Sequence, residues 1–374
     1  MTVKLMTIFG TRPEAIKLAP VIKAIEENPD QFSSICCVTA QHREMLDQVL
    51  NFFDIKPIHD LGIMKAGQSL TDVTVEVLKK VGYILSIEKP DFVLVQGDTT
   101  TTFAASLAAF YQKVKICHIE AGLRTFDKYQ PFPEEINRRL TTSLADYHFA
   151  PTKRASENLI KEGVDANRIR VTGNTGIDAL FLTLRLIRES SEKSRLPEEL
   201  LSELKGRRLI LVTAHRRENF GFIFGEMCKA FQEIARRNKD VMIVYPVHFN
   251  PNIRVPAEKL LSGNERIKLI EPVEYQAFVQ LMEKSYLILT DSGGVQEEAP
   301  SLGKPVLVLR NVTERPEAVE AGTARLAGTK AETIAGEVQK LLEDPIEYQK
   351  RSQIINPFGD GKASERIISY IANL

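Results

Sequence analysis

The chain has 374 residues, 43% of them hydrophobic and 26% charged, with 49 Lys plus Arg balanced by 49 Asp plus Glu. That composition excludes collagen-like, coiled-coil and largely disordered chains, and the length fits about two domains of ~100–200 residues. A formal net charge of +0 disfavours nucleic acid as a partner, because binders of the phosphate backbone are normally basic, and no apolar run approaches the ~18 residues that span a membrane.

The N-terminal MTVKLMTIFGTRPEA has no signal-peptide core, since its short apolar run reads straight into a strand and a helix. Cys36, Cys37, Cys117 and Cys228 show neither CxxC nor zinc-ligand spacing and are expected as buried core thiols. A cytoplasmic, reduced protein is the expectation.

Short β-branched runs alternate with longer amphipathic stretches. The strands expected in the first half are Leu5–Phe9, Ile35–Thr39, Phe92–Gln96, Lys115–Ile119 and His148–Ala150. In the second half they are Leu209–Thr213, Val241–Tyr245, Ile267–Ile270, Leu287–Thr290 and Val306–Leu309. Helical patterns cover Ala15–Glu27, Glu44–Phe53, Leu70–Ser86, Ile177–Arg188 and Phe224–Arg237. Apolar strands joined by helical crossovers make parallel sheets covered on both faces, so the chain reads as α/β with two doubly wound domains. The expected domains are 1–175 and 176–362, with the terminal helix 363–374 packing back on one of them. Ligands of such sheets bind beyond the strand C-termini, so the loops after the strands, facing an interdomain cleft, are where function is sought.

The first such loop is Gly10-Thr11-Arg12-Pro13-Glu14. Thr11 and Glu14 form a capping-box pattern and Pro13 suits a first helical turn, which puts Arg12 and Lys17 near a helix N-terminus. The location favours an anion site over an ordinary capped helix with solvated basic residues. Asp98 follows the strand Phe92–Gln96, within Gly97-Asp98 and four threonines, and is either an N-cap or a catalytic acid. Glu120 stands at the equivalent place after Lys115–Ile119. Two carboxylates at neighbouring strand tips would share a site and push their pKa values apart, as acid–base work requires. Glu134 and Glu135 follow a proline-stiffened loop, and Glu135 is expected only to favour its helix N-terminus.

In the second half, His215 and Arg216 follow the strand Leu209–Thr213 and suit a phosphate clamp. His248 is either a site residue or a loop histidine. After Leu287–Thr290 comes Asp291-Ser292-Gly293-Gly294, leading into an acidic helix. Its glycines and free N–H groups suit a diphosphate, and Glu298 suits ribose hydroxyls. The run is not a P-loop, because it lacks GxxxxGK[ST]. Phe278 either walls a base-sized slot or packs in the core.

FGTRPEAIK, QGDTTTTFA, HIEAGLRT, FPEEINRRL, TAHRRENFG, TDSGGVQEEAPSLGKPVLVLR and TERPEA resemble the non-hydrolysing UDP-N-acetylglucosamine 2-epimerases, from about Lys4 to Ile368. The resemblance implies two Rossmann-like domains in a glycosyltransferase-B arrangement. It also implies interconversion of UDP-GlcNAc and UDP-ManNAc with UDP as a bound intermediate product, no nicotinamide or metal cofactor, and a homodimer. Asp98, Glu120, Glu134 and His215 match the family's catalytic groups, with Glu120 first choice as base. Arg12 and Lys17 match its basic pair, Ser292, Gly293 and Gly294 its UDP loop, and Glu298 its ribose acid. Gln41, Arg216 and His248, with His42, match a regulatory site of bacterial members. Glu44 and Gly67 stand where some regulated members carry Gln and Arg, which implies weaker regulation. The rival expectations are a hydrolysing 2-epimerase and a catalytically silent nucleotide-sugar sensor.

Overall fold

The computed structural model describes residues 2–40, 43–63, 67–190 and 196–374. It divides into two units, Met1–Leu182 with Phe358–Leu374, and Thr183–Pro357.

In the first unit the strands are β1 (Val3–Phe9), β2 (Phe32–Val38), β3 (His59–Asp60), β4 (Phe92–Gln96), β5 (Lys115–Ile119), β6 (Tyr147–Ala150) and β7 (Ile169–Val171). They form a seven-stranded sheet of order β3-β2-β1-β4-β5-β6-β7, parallel at every pairing. In the second unit β8 (Arg208–Thr213), β9 (Val241–Pro246), β10 (Ile267–Ile270), β11 (Ser285–Thr290), β12 (Val306–Val308) and β13 (Ala324–Leu326) pair in the order β10-β9-β8-β11-β12-β13. That sheet too is parallel throughout. Both orders are those of a doubly wound sheet, with the direction of winding reversing between β1 and β4 and again between β8 and β11.

The central strands are apolar along their length because helices cover both faces. Met6, Ile8, Val93 and Val95 meet Val77 and Val81 of the helix Leu70–Glu88 and Ala104, Ala105 and Ala108 of the helix Thr100–Tyr111. In the second unit Ile210, Val212, Leu287 and Leu289 pack with Phe224 and Phe231 of the helix Phe222–Arg237 and with Val338 and Leu341. Each of the Val, Leu, Ile, Phe and Met side chains among these contributes roughly 1.5–3 kcal/mol on burial. All ten expected strands form, most with one or two residues more or fewer at an end.

The terminal helix spans Ala363–Ile371 and packs on the helix Arg12–Glu26. Its first turn is capped from outside: the Asp178 carboxylate accepts the N–H of Ser364 at 2.7 Å and of Ala363 at 3.2 Å. All four cysteines are buried and unpaired, and burial pushes their thiols up. Among the described residues no helix is long and apolar enough to cross a membrane.

Candidate active site

The candidate residues of the first unit gather where its winding reverses. The helix Arg12–Glu26 starts directly after β1, with Thr11 as N-cap and Glu14 in its first turn. Glu14 does more than close the capping box. Its Oε2 accepts the N–H of Gly10 at 3.1 Å, the N–H of Thr11 at 2.8 Å and the Thr11 hydroxyl at 2.7 Å. Its Oε1 accepts the Thr99 hydroxyl at 2.7 Å and lies 3.0 Å from the Thr102 hydroxyl. One buried carboxylate thus ties the loop after β1 to the loop after β4. Burial pushes the Glu14 carboxyl above its ordinary range, and these donors pull it back.

Thr99 is the N-cap, and Thr100, Thr101 and Thr102 form the buried first turn of the helix Thr100–Tyr111. Threonine is tolerated there because its hydroxyl can bind locally, as Thr102 does to Glu14 and to the Gln96 carbonyl. Gly10 must be glycine, since a Cβ there would collide with the hydroxyls of Thr39 and Thr101.

Asp98 is therefore not the N-cap. Its carboxylate is gripped by Arg138, whose Nε donates to Oδ2 at 3.0 Å and whose Nη2 donates to the same oxygen. The Asn137 side chain donates to the Asp98 carbonyl at 3.0 Å. Asn137 and Arg138 both lie on the helix Glu134–Leu144.

Glu120, 8% exposed, has φ +64. This left-handed backbone costs a non-glycine residue of order 1 kcal/mol or more and is characteristic of sites where surrounding contacts hold it. The contacts are present. Lys17 Nζ donates to Oε1 at 2.5 Å, Asn174 Nδ2 donates to Oε1 at 3.3 Å, and Gln96 Nε2 donates to Oε2. Lys17, expected among the cations for an anionic group, stands on Glu120.

Glu134 opens its helix half-buried. Glu135 is fully buried and does more than complement a helix dipole. It accepts the N–H of Thr125 at 3.0 Å and of Phe126 at 3.2 Å, and pairs with Arg138 at 3.3 Å. It therefore fixes both the loop before the helix and the arginine that grips Asp98. Arg12 is half-buried at the start of its helix.

The second unit repeats the plan. Asp291, at the end of β11, is fully buried. Its Oδ2 accepts the N–H of His215 at 2.9 Å, the N–H of Arg216 at 2.8 Å and the Asn219 side chain at 3.0 Å. It ties the loops after β8 and β11 as Glu14 ties those after β1 and β4. The His215 ring is partly exposed and stacks on His248, with centroids 5.7 Å apart and planes 15° apart. Burial lowers its pKa, and the Asp291 carboxylate opposes the fall.

Ser292 caps the short helix Gly293–Glu298. The N–H groups of Gly293, Gly294 and Val295, in its first turn, have no acceptor inside the helix. A Cβ on Gly293 would stand 3.5 Å from Arg315 Nη2 and 3.9 Å from Arg216 Nη2, so two guanidinium groups flank the glycine loop. Arg216 also pairs with Glu314 at 3.1 Å, and Arg315 with the buried Glu297. Glu298 Oε1 lies beside Gly294, 3.7 Å from where a Cβ would be. Phe278 is half-buried on the helix Tyr275–Lys284. Gln41 and His42 lie outside the described residues, as does the side chain of Glu44.

Sequence reasoning missed Arg138 and Arg315. The signal for Arg315 was present, since Glu314-Arg315-Pro316-Glu317 echoes Thr11-Arg12-Pro13-Glu14, and each Arg-Pro pair opens a helix.

Two parallel sheets of one winding order, each with charged groups collected at its reversal, define a two-unit Rossmann-like α/β protein. The family model described as UDP-N-acetylglucosamine 2-epimerase matches residues 23–372. The chain belongs to that family. It is 54% identical over 366 residues to the UDP-N-acetylglucosamine 2-epimerase of Salmonella typhimurium, covering 98% of this chain and 97% of that one. It is also 54% identical over 374 residues to that of Escherichia coli K12, covering 99% and 98%. The crystal structure of the Neisseria meningitidis UDP-GlcNAc 2-epimerase bound to UDP-GlcNAc superposes with a TM-score of 0.91 at 50% identity, over 100% of both chains.

Proposed function

We propose that this protein epimerises UDP-N-acetylglucosamine reversibly at C2 to UDP-N-acetylmannosamine, without net hydrolysis. The physical obstacle is the C2 proton. No carbonyl adjoins that carbon, so no enolate can hold the charge, and a carboxylate alone removes such a proton too slowly. Expelling UDP with, or ahead of, deprotonation develops oxocarbenium character at C1 and leads to a 2-acetamidoglucal. Reprotonation on the opposite face and return of UDP complete the inversion.

In this reading the first unit supplies the acid–base groups Asp98, Glu120 and Glu134, with Glu120 as the base. Arg12 and His215 stabilise the charge that develops on the leaving diphosphate, usually the largest single contribution to such a step. Lys17 holds Glu120. The Gly293-Gly294 loop, Ser292, Arg315 and Glu298 carry the nucleotide, with Phe278 against its base. The observation that carries the reading is the pair of carboxylates, Asp98 and Glu120, at the tips of the adjacent strands β4 and β5, each held by its own cation. A nucleotide-sugar sensor has no need of that arrangement.

The same reading makes the protein cytoplasmic, a source of activated N-acetylmannosamine for surface polysaccharide, and a homodimer. Exposed Tyr83, Ile87, Phe110 and Tyr111 on two neighbouring helices suit the dimer face, and light scattering tests it.

The deciding experiment is incubation with UDP-GlcNAc in heavy water, followed by NMR. Epimerisation gives UDP-ManNAc and deuterium at C2 of both epimers. Free ManNAc and UDP as final products would make the enzyme a hydrolysing epimerase. Unlabelled substrate with no product would reject catalysis at C2.

A further inference from the structure

The Asp291 carboxylate is fully buried, and its two oxygens are unequal. Oδ2 accepts three donors, from His215 N, Arg216 N and the Asn219 side chain. Among the described residues Oδ1 has no hydrogen-bond partner. A buried acceptor left unpaired costs about 1–3 kcal/mol, more when charged. A candidate donor is the His215 ring, whose Nδ1 lies 3.5 Å from Oδ1. That is too long for a good hydrogen bond in the ligand-free chain, and such catalytic contacts commonly shorten when substrate binds.

We propose that Asp291 is the positioning residue of His215: its Oδ2 clamps the backbone of the loop, and its Oδ1 holds the ring with Nδ1 protonated and Nε2 facing away from the carboxylate. The inference rests on the role given to His215 above. It adds how one buried oxygen pair sets both the place and the tautomer of that imidazole.

The groups around the ring fit this assignment. His248, at the end of β9, stacks on one face, and its own Nδ1 is occupied in accepting the N–H of Asn250 at 3.0 Å. Tyr245, also on β9, donates its hydroxyl to the Ala214 carbonyl at 2.5 Å and so is not a donor to Asp291. Arg216 directs Nε to the Asp291 carbonyl at 3.1 Å and Nη1 to Glu314. Both Arg216 and His248 disfavour a charged His215, and Asp291 is the group that favours it. With Nδ1 committed, Nε2 is the nitrogen left for the leaving oxygen. It accepts nothing from Asp291 and can carry a proton when the ring is charged.

The test needs no turnover. Histidine-labelled full-length protein is examined by long-range 1H–15N correlation, with the His215 ring assigned by its disappearance in His215→Gln. The neutral ring is expected as the Nδ1–H tautomer. In Asp291→Asn the side-chain oxygen still accepts the backbone N–H groups, but the His215 midpoint should fall by about one pH unit. In the same variant kcat should drop at least ~10-fold with KM little changed. An Nε2–H tautomer in the wild-type protein overturns the proposal, as does a midpoint equal in the two proteins. If Asp291→Asn does not fold, the wild-type tautomer decides alone. If the wild-type protein fails to epimerise, the functional reading falls while the tautomer still answers for Asp291.

Discussion

Lys17 Nζ lies 2.5 Å from Glu120 Oε1, across 103 positions of sequence. The pair joins the helix after β1 to the tip of β5, and the carboxylate side chain is only 6% exposed. Removing one partner of such a pair leaves a buried charge uncompensated, at a cost of about 3–5 kcal/mol. Lys17→Met should therefore lower stability in urea unfolding and cut kcat by ~100-fold or more. Glu120→Gln should abolish C2 exchange in heavy water while keeping the fold, because its one amide oxygen still accepts from Lys17 and Asn174 and its amide N–H2 can donate to a Gln96 side chain turned to present its oxygen. Lys17→Met with wild-type kcat would remove the pair from the mechanism.

Asp98 is held by two nitrogens of one guanidinium. A lysine at position 138 would keep the charge but lose the fork, since an ammonium is a point charge. Arg138→Lys should reduce kcat at least ~10-fold with nucleotide affinity nearly unchanged. Steady-state kinetics beside UDP titration calorimetry separates the two. Equal losses of both would show that Arg138 acts on nucleotide binding instead.

Glu14 offers a stability test independent of catalysis. In Glu14→Ala the N–H groups of Gly10 and Thr11 and the hydroxyl of Thr99 lose their acceptor in a buried setting. The expected loss is about 3 kcal/mol, read as a lower urea midpoint. Glu14→Gln retains one acceptor oxygen and should lose less. An unchanged midpoint in Glu14→Ala would mean that the two loops hold without it.

Regulation by a second nucleotide sugar should be weak. Glu44 and Gly67 place an anion and a neutral residue where the family resemblance implies that some regulated members carry Gln and Arg. Like charge against a diphosphate is unfavourable. Initial rates against UDP-GlcNAc should be near-hyperbolic, and Gly67→Arg should steepen them. A strongly sigmoidal wild-type curve would refute this.

The central strands and their tips were legible because buried parallel strands must be apolar runs ended by loop residues, as Phe92–Gln96 before Gly97-Asp98 illustrates. The strands that escaped notice, β3, β7 and β13, are all sheet edges of two or three residues. An edge buries less surface, so its pattern is weak: His59–Asp60 carries no apolar residue, and Arg170 and Val171 are exposed. Asp98, Glu120 and His215 could be found because each ends a strand. Arg138 could not, since it reaches Asp98 from a helix 40 positions away. The bridging roles of Glu14 and Asp291 depend on pairing between loops, which periodicity does not encode. Glu14 read as a helix cap, which it is, and nothing in the spacing announced Thr99 as its partner.

Two buried histidines on neighbouring strands should weaken the fold as pH falls. His118 on β5 and His148 on β6 are register partners. Burial lowers their pKa values from 6.5 to about 3 and about 4, and Arg124 adds to both shifts. His118 donates from Nε2 to the Gly97 carbonyl at 2.7 Å, beside Asp98. Both rings are thus neutral in the folded chain at pH values where the unfolded chain begins to charge them. Below about pH 6.5 the unfolded state binds more protons, so stability falls as pH falls, until the folded rings themselves titrate near 4 and 3. Between pH 7.5 and 5 the expected loss is about 2 kcal/mol for each ring, before most carboxylates respond. His118→Gln keeps a donor for Gly97 but cannot titrate, and His148→Gln likewise cannot. The double variant should show a shallower decline of stability between pH 7.5 and 5 than the wild-type protein, measured by urea unfolding across that range. Equal slopes in the two proteins would mean that these rings accept protons in the folded state.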